Sequence, residues 1–174
     1  MTEAAVPGCI GCPMVLRLTS TLNPSRNDTG RTAFCGPVVI SAVTGLAVSQ
    51  VEEEIWRARG RASACKSAQV TGTTEHEVRR TLGRLGFSMD VAADFRHLDK
   101  GARPSLWSWM QRPRNAFCHY LLGIHKGRTG HWIAVKGVMT CDTYTGGRWL
   151  FVSDGPHKSA KIMDAYIVRR DVGA

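Results

Sequence analysis

A cysteine, a histidine and an aspartate occur in this chain at positions where they could act together on a carbonyl group. Cys35 lies where a polar loop gives way to an apolar, helix-like run. The unpaired N–H groups and the positive dipole end of a helix start favour the thiolate, the form of cysteine that attacks carbonyl carbon. His131 begins one strand-like run and Asp154 ends another. In this order the three residues predict a nucleophile, its base and an orienting acid.

Helices are predicted to position the cysteine. The apolar run predicts a helix from about residue 36 to 48 that is apolar on nearly every side, which is typical of a central, buried helix. Ser49 and Thr74 each begin a capping box, so two further helices are predicted after it. Ser105 is expected to cap a short helix that continues through Met110.

Strands are predicted to position the histidine and the aspartate. Alternating or apolar runs indicate strands at residues 87–91, 116–124, 132–139, 148–153 and 166–169. Helices followed by a run of antiparallel strands predict an α+β domain. We expect one domain over residues 1–174, with an irregular N-terminal segment over residues 1–30.

The predicted hairpin favours His131 among the six histidines, and Asp154 as its acid. Residues 140–147 have the composition of a hairpin loop between the strands predicted at 132–139 and 148–153. With that loop centred near residue 144, Asp154 comes to the same end of the hairpin as His131. Asp142 is then placed at the far end, where it could not orient His131. A register change of one residue would turn a side chain to the other face.

Three motifs, taken in order, resemble the papain-like cysteine protease superfamily. They are Cys35-Gly36-Pro37 at the start of an apolar helix, then Gly130-His131-Trp132-Ile133-Ala134-Val135, then Phe151-Val152-Ser153-Asp154. The nearest branch contains the double-glycine leader (bacteriocin-processing) peptidases, which Gly72-Thr73-Thr74-Glu75 before a helix ending in Leu85-Gly86-Phe87 also resembles. Small papain-like proteins of phages and mobile elements are similar too. The resemblance covers about residues 30–155.

The resemblance implies a papain-like α+β fold in which N-terminal helices, including a buried nucleophile helix, pack on a C-terminal antiparallel sheet. It implies a cysteine peptidase or related amide hydrolase that works through a thioester intermediate. The resemblance implies that Cys35 is the nucleophile, that His131 is the general base and acid, and that Asp154 orients the histidine. A peptide or protein substrate is expected, and neither a cofactor nor a metal ion.

The chain departs from that family at the oxyanion site. The family has a glutamine a few residues before the cysteine, and this sequence has none before Gln50. Asn27 is the expected substitute donor, ahead of Thr29 and Arg31, and the backbone N–H of Cys35 is a second donor. Losing one donor can cost about a hundredfold in rate. The alternative is therefore a weak or inactive papain-like protein with a binding or structural role, for example in a phage virion.

Composition narrows the choice of partners. The 174 residues carry a net charge of +9, from 23 basic and 14 acidic residues, with the basic residues spread along the chain. We interpret them as a solvated surface rather than a polyanion-binding one, because no nucleic-acid motif occurs. No apolar run reaches the length of a membrane span. The N-terminus lacks a signal-peptide pattern, so we expect synthesis in the cytoplasm, with virion association under the alternative.

Cys9 and Cys12 form a C-x-x-C pair near the N-terminus. Such a pair could be half of a zinc site, a redox pair or a disulfide. A complete zinc site needs a second pair, and the sequence has none. A structural or incidental role is the favoured interpretation. Pairing of this segment with a protein assembly partner is the other.

Overall fold

A computed structural model describes residues 22–61, 68–126 and 129–171. The C-x-x-C pair of Cys9 and Cys12, and most of the segment predicted to be irregular, lie outside the described residues. Helices and strands follow in the order α1 (Cys35–Thr44), α2 (Val48–Ala58), α3 (Glu75–Arg84), β1 (Phe87–Asp94), α4 (Leu106–Met110), β2 (His119–Lys126), β3 (Thr129–Lys136), β4 (Met139–Cys141), β5 (Leu150–Phe151) and β6 (Ile162–Arg170).

The strands form one six-stranded sheet in the order β1-β6-β2-β3-β4-β5, and each neighbouring pair is antiparallel. The predicted class, α+β, is confirmed. No helix in the described part of the chain has the length and apolar character needed to cross a bilayer.

Helix α1 is the buried helix that the sequence predicted, although it is shorter than expected. Nearly all of its side chains are buried, and it packs against β3 and α2. It ends at Thr44 because Gly45 adopts a left-handed conformation (φ 78°), in which its N–H donates a hydrogen bond to Ser41 O at 2.8 Å. Glycine has no Cβ and adopts this conformation without steric strain, so the chain can turn directly into the next helix.

The start of α2 differs from the predicted capping box. Ser49 already lies inside the helix, and the side chain of Gln50 accepts a hydrogen bond from the N–H of Ala47 at 3.0 Å. Glu52, the predicted box partner of Ser49, is instead buried and pairs with Arg31 at 2.7 Å. The capping box of Thr74 and Glu77 at α3 is confirmed.

The two faces of the sheet are covered by different helices. Leu121 of β2 and Trp132 of β3 join α1, α2 and α3 in one apolar cluster. Leu122 and Ile133, the next residues along the same strands, join α4 in a second cluster. Successive side chains of a strand point to opposite faces, so the sheet separates two cores. Cys35 starts the helix that packs on the first of these faces.

The hairpin that follows His131 is tighter than predicted. β3 and β4 pair through Lys136 and Met139, so only Gly137 and Val138 form the turn, and Gly137 has a φ of 56°. The predicted strand at 132–139 is therefore the end of β3, a turn and the start of β4. The predicted loop at 140–147 contains the end of β4 and leads to β5. Asp142, one residue beyond β4, is thereby brought back toward the start of β3.

Candidate active site

The sulfur of Cys35 lies at the N-terminus of α1. Phe34 precedes the helix with an extended backbone and provides no side-chain cap, and no acid occurs in the first turn. The backbone N–H groups of Gly36 and Trp132 hydrogen-bond the sulfur. An uncapped helix start leaves donors and a positive dipole end available to an anion. The site can therefore stabilise a thiolate.

The pKa of Cys35 is below its ordinary value. Burial acts in the opposite direction, because it disfavours the charged form, but the hydrogen bond from His131 and the backbone N–H of Trp132 together outweigh it. The contrast with Cys141 is informative: there burial dominates and raises the pKa to about 12. Of these two cysteines, only Cys35 has the surroundings of a reactive thiol.

His131 lies between the cysteine and a carboxylate. Its Nε2 is 2.8 Å from Asp142 Oδ2, and the side chains are only 8% and 1% exposed. The other ring nitrogen, Nδ1, is thus left for the sulfur of Cys35. Burial alone would lower the pKa of His131, but hydrogen bonds to Asp142 and Cys35 raise it to about 9. An imidazolium held between a thiolate and a carboxylate has the charge order of a cysteine triad.

A tight turn fixes the orienting carboxylate. Asp142 Oδ1 accepts the N–H of Thr145 at 2.9 Å, and the N–H of Asp142 donates to Thr145 Oγ1 at 3.1 Å. Thr145 Oγ1 in turn donates to Arg148 O at 2.6 Å. Burial would raise the pKa of Asp142, but its hydrogen bonds to His131 and to this turn, together with its contact with His157, hold that pKa far below its usual range. Asp142 therefore stays ionised and in place.

A second histidine contacts the same carboxylate. His157 Nε2 lies 2.8 Å from Asp142 Oδ2, and the His157 side chain is only 9% exposed. The ring nitrogen is not aligned for a good hydrogen bond, so we treat the contact as electrostatic. Tyr144 packs its ring edge-on against His131 and His157, with centroids 5.1 and 5.0 Å away. These rings enclose the carboxylate and restrict water around it.

The prediction that Asp154 orients His131 is wrong. Asp154 is exposed, and its carboxylate accepts a hydrogen bond from Ser153 Oγ at 2.9 Å. The error came from the hairpin register, because the tight turn at Gly137 moves Asp142 to the end of the hairpin that Asp154 was expected to occupy. The same register excluded Asp142 from the predicted site. His157 is one of the five other histidines, and no local sequence pattern distinguishes it from them.

Asn27, the expected oxyanion donor, is committed to its own loop. Its side-chain N–H donates to Arg31 O at 2.8 Å, and its Oδ1 accepts from Thr29 Oγ1 at 2.7 Å. Asn27 lines a separate depression from the cavity that contains Cys35. The side chain of Arg31 is engaged with Glu52. The structure thus gives these side chains other roles, and the backbone N–H of Cys35 as donor stays a prediction.

The same cluster has the donors of a metal site. His131, Asp142 and His157 each offer one ligand atom, and these atoms lie within 4.8 Å of one another. Two imidazole nitrogens and a carboxylate oxygen suit zinc or a similar cation. A cation there would take the Nε2 of His131 that now binds Asp142. Metal binding and triad chemistry would therefore compete for one atom.

A cavity of about 340 Å³ opens beside the sulfur. Its wall includes Thr73 from the segment before α3, and Trp132 from β3. Trp132 Nε1 donates to Thr73 O at 3.1 Å, which ties that segment to the strand that carries His131. Glycine is required at position 36, because a Cβ there would lie 2.1 Å from Oγ1 of Thr73 in the cavity wall. Cys35 and His131 thus face a pocket with fixed walls.

Comparison with known proteins assigns no family to this chain. No protein-family model matches the sequence, and no curated protein matches it significantly.

Proposed function

We propose that this protein is a cysteine peptidase or related amide hydrolase that acts through Cys35, His131 and Asp142. The observation that carries the proposal is the position of His131, which hydrogen-bonds both the Cys35 sulfur and the Asp142 carboxylate in a buried site. A nucleophile at a helix start and a base at a strand start also agree with the resemblance to the papain-like superfamily. Asp142 takes the role that the resemblance had given to Asp154.

The proposed reaction starts from a thiolate and an imidazolium. The Cys35 thiolate attacks the carbonyl carbon, a C–S bond forms, and the carbonyl oxygen becomes an oxyanion. The C–N bond then breaks, and the leaving nitrogen takes a proton from His131. In the second half-reaction a water molecule gives its proton to His131 and attacks the thioester. The C–S bond breaks, and the acid product and the starting enzyme are released.

Asp142 acts on His131 and not on the substrate. It holds Nε2–H so that Nδ1 faces the sulfur, and its charge stabilises the imidazolium that each half-reaction requires. The backbone N–H groups at the start of α1, that of Cys35 included, are the proposed donors to the oxyanion, because no side chain caps this helix start. A water molecule completes hydrolysis. An amine in its place would make the same site an acyltransferase.

A second candidate function is a catalytically weak binding or structural protein on the same fold, for example a virion component. The observation that favours it is the commitment of the Asn27 amide to Arg31 O, which leaves the usual side-chain oxyanion donor unreplaced at that position. One missing donor corresponds to a loss of roughly a hundredfold to a thousandfold in rate. The triad alone does not decide between a fast and a slow enzyme.

The reactivity of Cys35 separates the two candidates. The protein is treated with iodoacetamide between pH 5 and 9, and labelling is mapped to individual cysteines by mass spectrometry. The hydrolase predicts labelling of Cys35 well below the pH at which an ordinary thiol reacts, and faster than at Cys118. Buried Cys141, with a pKa near 12, is an internal control that should label last. Equal rates at Cys35 and Cys118 would remove the basis for the hydrolase.

Turnover is tested separately on a peptide library prepared by digesting a cell extract. New termini that form with the unmodified protein, and that are missing with a Cys35→Ala variant, would identify both the activity and the sequences cleaved. Fast alkylation without any such termini would favour the binding protein.

A further inference from the structure

The sheet lacks a side chain directly beside the candidate nucleophile. Gly123 of β2 lies opposite Trp132 on one side and Asp164 of β6 on the other, so the three form a row across the sheet. All three line the cavity that contains Cys35. Cross-strand partners project to the same face. The missing side chain at the centre of the row thus gives the Asp164 carboxylate room above Gly123.

Asp164 leans over the space that Gly123 leaves. A Cβ at Gly123 would lie only 2.3 Å from Asp164 Oδ1, so no other residue fits there without moving the carboxylate. The Asp164 side chain is 9% exposed, and its Oδ1 makes no well-formed hydrogen bond among the described residues, although the nearby backbone N–H of Gly123 lowers the pKa of the carboxyl. A buried carboxylate with so few donors carries a desolvation cost that a nearby cation would relieve.

The neighbouring charges compensate Asp164 only in part. Arg96 Nε is 3.6 Å from Asp164 Oδ2, but the same guanidinium also pairs with Asp94 at 3.1 Å and with Glu75 at 3.3 Å. One cation is thus shared by three carboxylates. Burial raises the pKa of Asp164 to about 6, although the positive charge of Arg96 acts in the opposite direction. Glu75 and Arg96 line the cavity together with Asp164, so two carboxylates and one guanidinium make this end negative on balance, although the whole chain carries a charge of +9.

We propose that this cavity is a specificity pocket in which Asp164 binds a positively charged group of the substrate, a lysine or arginine side chain close to the scissile bond. The proposal deepens the proposed function and rests on it, because the pocket is defined by its position beside Cys35. A cavity of about 340 Å³ is in the usual range of small-ligand sites. Trp132 offers an apolar wall for the aliphatic stem of such a side chain, and the negative charge of Asp164 attracts its charged end.

Small thiol reagents test the pocket without knowledge of the substrate. The reagents are methyl methanethiosulfonate, which is neutral, and its 2-(trimethylammonium)ethyl analogue, which is cationic. Each transfers its thioalkyl group to a thiolate, forms a disulfide and releases methanesulfinate. The measured quantity is the ratio of the two rates at Cys35, mapped by mass spectrometry. The ratio cancels any change in the intrinsic reactivity of the sulfur.

Asp164→Asn is the test variant, because it keeps the shape of the side chain and removes its charge. Asp94→Asn is the matched control, since it removes an exposed carboxylate from the same Arg96 outside the pocket. We expect the cationic-to-neutral ratio to fall roughly threefold to tenfold in Asp164→Asn, as for one charge removed at short range. The control should stay within about twofold. Asp164→Ser replaces the test variant if Asp164→Asn does not fold by circular dichroism.

Failure of the pocket and failure of the proposed function give different results. If Cys35 reacts quickly with the neutral reagent but Asp164→Asn leaves the ratio unchanged, the specificity pocket is wrong and the hydrolase stands. If Cys35 reacts with the neutral reagent no faster than Cys118, the hydrolase is wrong. The ratio is then still measured at longer times, and its dependence on Asp164 decides whether the cavity binds cations.

Discussion

The helix side and the hairpin side of the candidate site hold their charges in different ways. At the helix side, the Cys35 sulfur meets backbone N–H groups and a helix dipole, and the first turn contains no charged side chain. At the hairpin side, Asp142 is buried among two histidines and a turn that binds both its backbone and its carboxylate. The backbone donors of the helix side do not depend on which side chains surround them. The hairpin side depends on particular side chains, so substitutions there should tell more about how the charges are held.

The largest effect is expected at the nucleophile itself. Cys35→Ser replaces the sulfur by a hydroxyl that the same surroundings cannot ionise near neutral pH, so hydrolysis should fall by at least about a thousandfold. The variant should fold normally, because serine is close to cysteine in size. The measurement is single-turnover cleavage of a peptide found in the library screen. Residual activity within about tenfold of the unmodified protein would exclude Cys35 as the nucleophile.

The next effect separates the two aspartates. Asp142→Asn removes the charge that stabilises the His131 imidazolium, and kcat should fall roughly a hundredfold to ten-thousandfold. Asp154→Asn is the matched control and should leave kcat within about twofold, because Asp154 is exposed and bonded to Ser153. Steady-state kinetics of both variants decide the assignment. Equal losses would mean that the arrangement of the hairpin in solution differs from the one described.

The pH dependence tests the charge pair directly. Since the pKa of Cys35 is lowered and that of His131 is raised to about 9, the thiolate–imidazolium pair should exist from below the ordinary thiol pKa up to about pH 9. Hydrolysis should decline above that limit, where His131 loses the proton it gives to the leaving nitrogen. The measurement is kcat/KM from pH 5 to 10. In Asp142→Asn the upper limit should move to lower pH, because a bond that raises the pKa of His131 is weakened.

A smaller effect is expected from the second histidine. His157→Gln removes one of the two rings that contact Asp142, and kcat should fall roughly threefold to tenfold through looser positioning of the carboxylate. KM should stay nearly constant, because His157 does not line the cavity beside Cys35. His76→Gln is the matched control, because it makes the same substitution at an exposed histidine of α3, and no change in kcat is expected. A loss in KM alone would contradict a positioning role.

The smallest effect concerns the turn that sets the hairpin register. Gly137→Ala places a side chain at a φ of 56° and should lower the free energy of unfolding by about 1 kcal/mol. Gly83→Ala is the matched control: that glycine lies inside α3 with open space around it, so alanine should stabilise the protein by about 0.5–1 kcal/mol. Urea denaturation measures both. The same sign for the two variants would argue against the strained turn.

Local patterns were enough to find the helix side of the site. An apolar run after a polar loop located the start of α1, and a capping box located α3, because both signals lie within a few consecutive residues. The coarse α+β class followed from the order of helices and strands. The length of α1 did not follow, since Gly45 ends the helix by adopting a conformation that the apolar pattern around it does not indicate.

The hairpin side depends on a register that the sequence indicates only weakly. Gly137 suits the first central position of a two-residue turn, but residues 140–147 contain more polar turn residues, so composition favours a later turn. An error of that size exchanges one end of a hairpin for the other. His131 was nevertheless found, because it begins an apolar strand. The acid could not be found in this way, since its partner is chosen by pairing across the sheet.

The hydrogen bond from Trp132 Nε1 to Thr73 O links the helical layer to the strand that carries the base. A substrate that enters the cleft therefore meets walls whose ordering cost was met during folding, not at the moment of binding. Substrates should then differ in how well they fit these walls, and the walls should move little when a substrate binds.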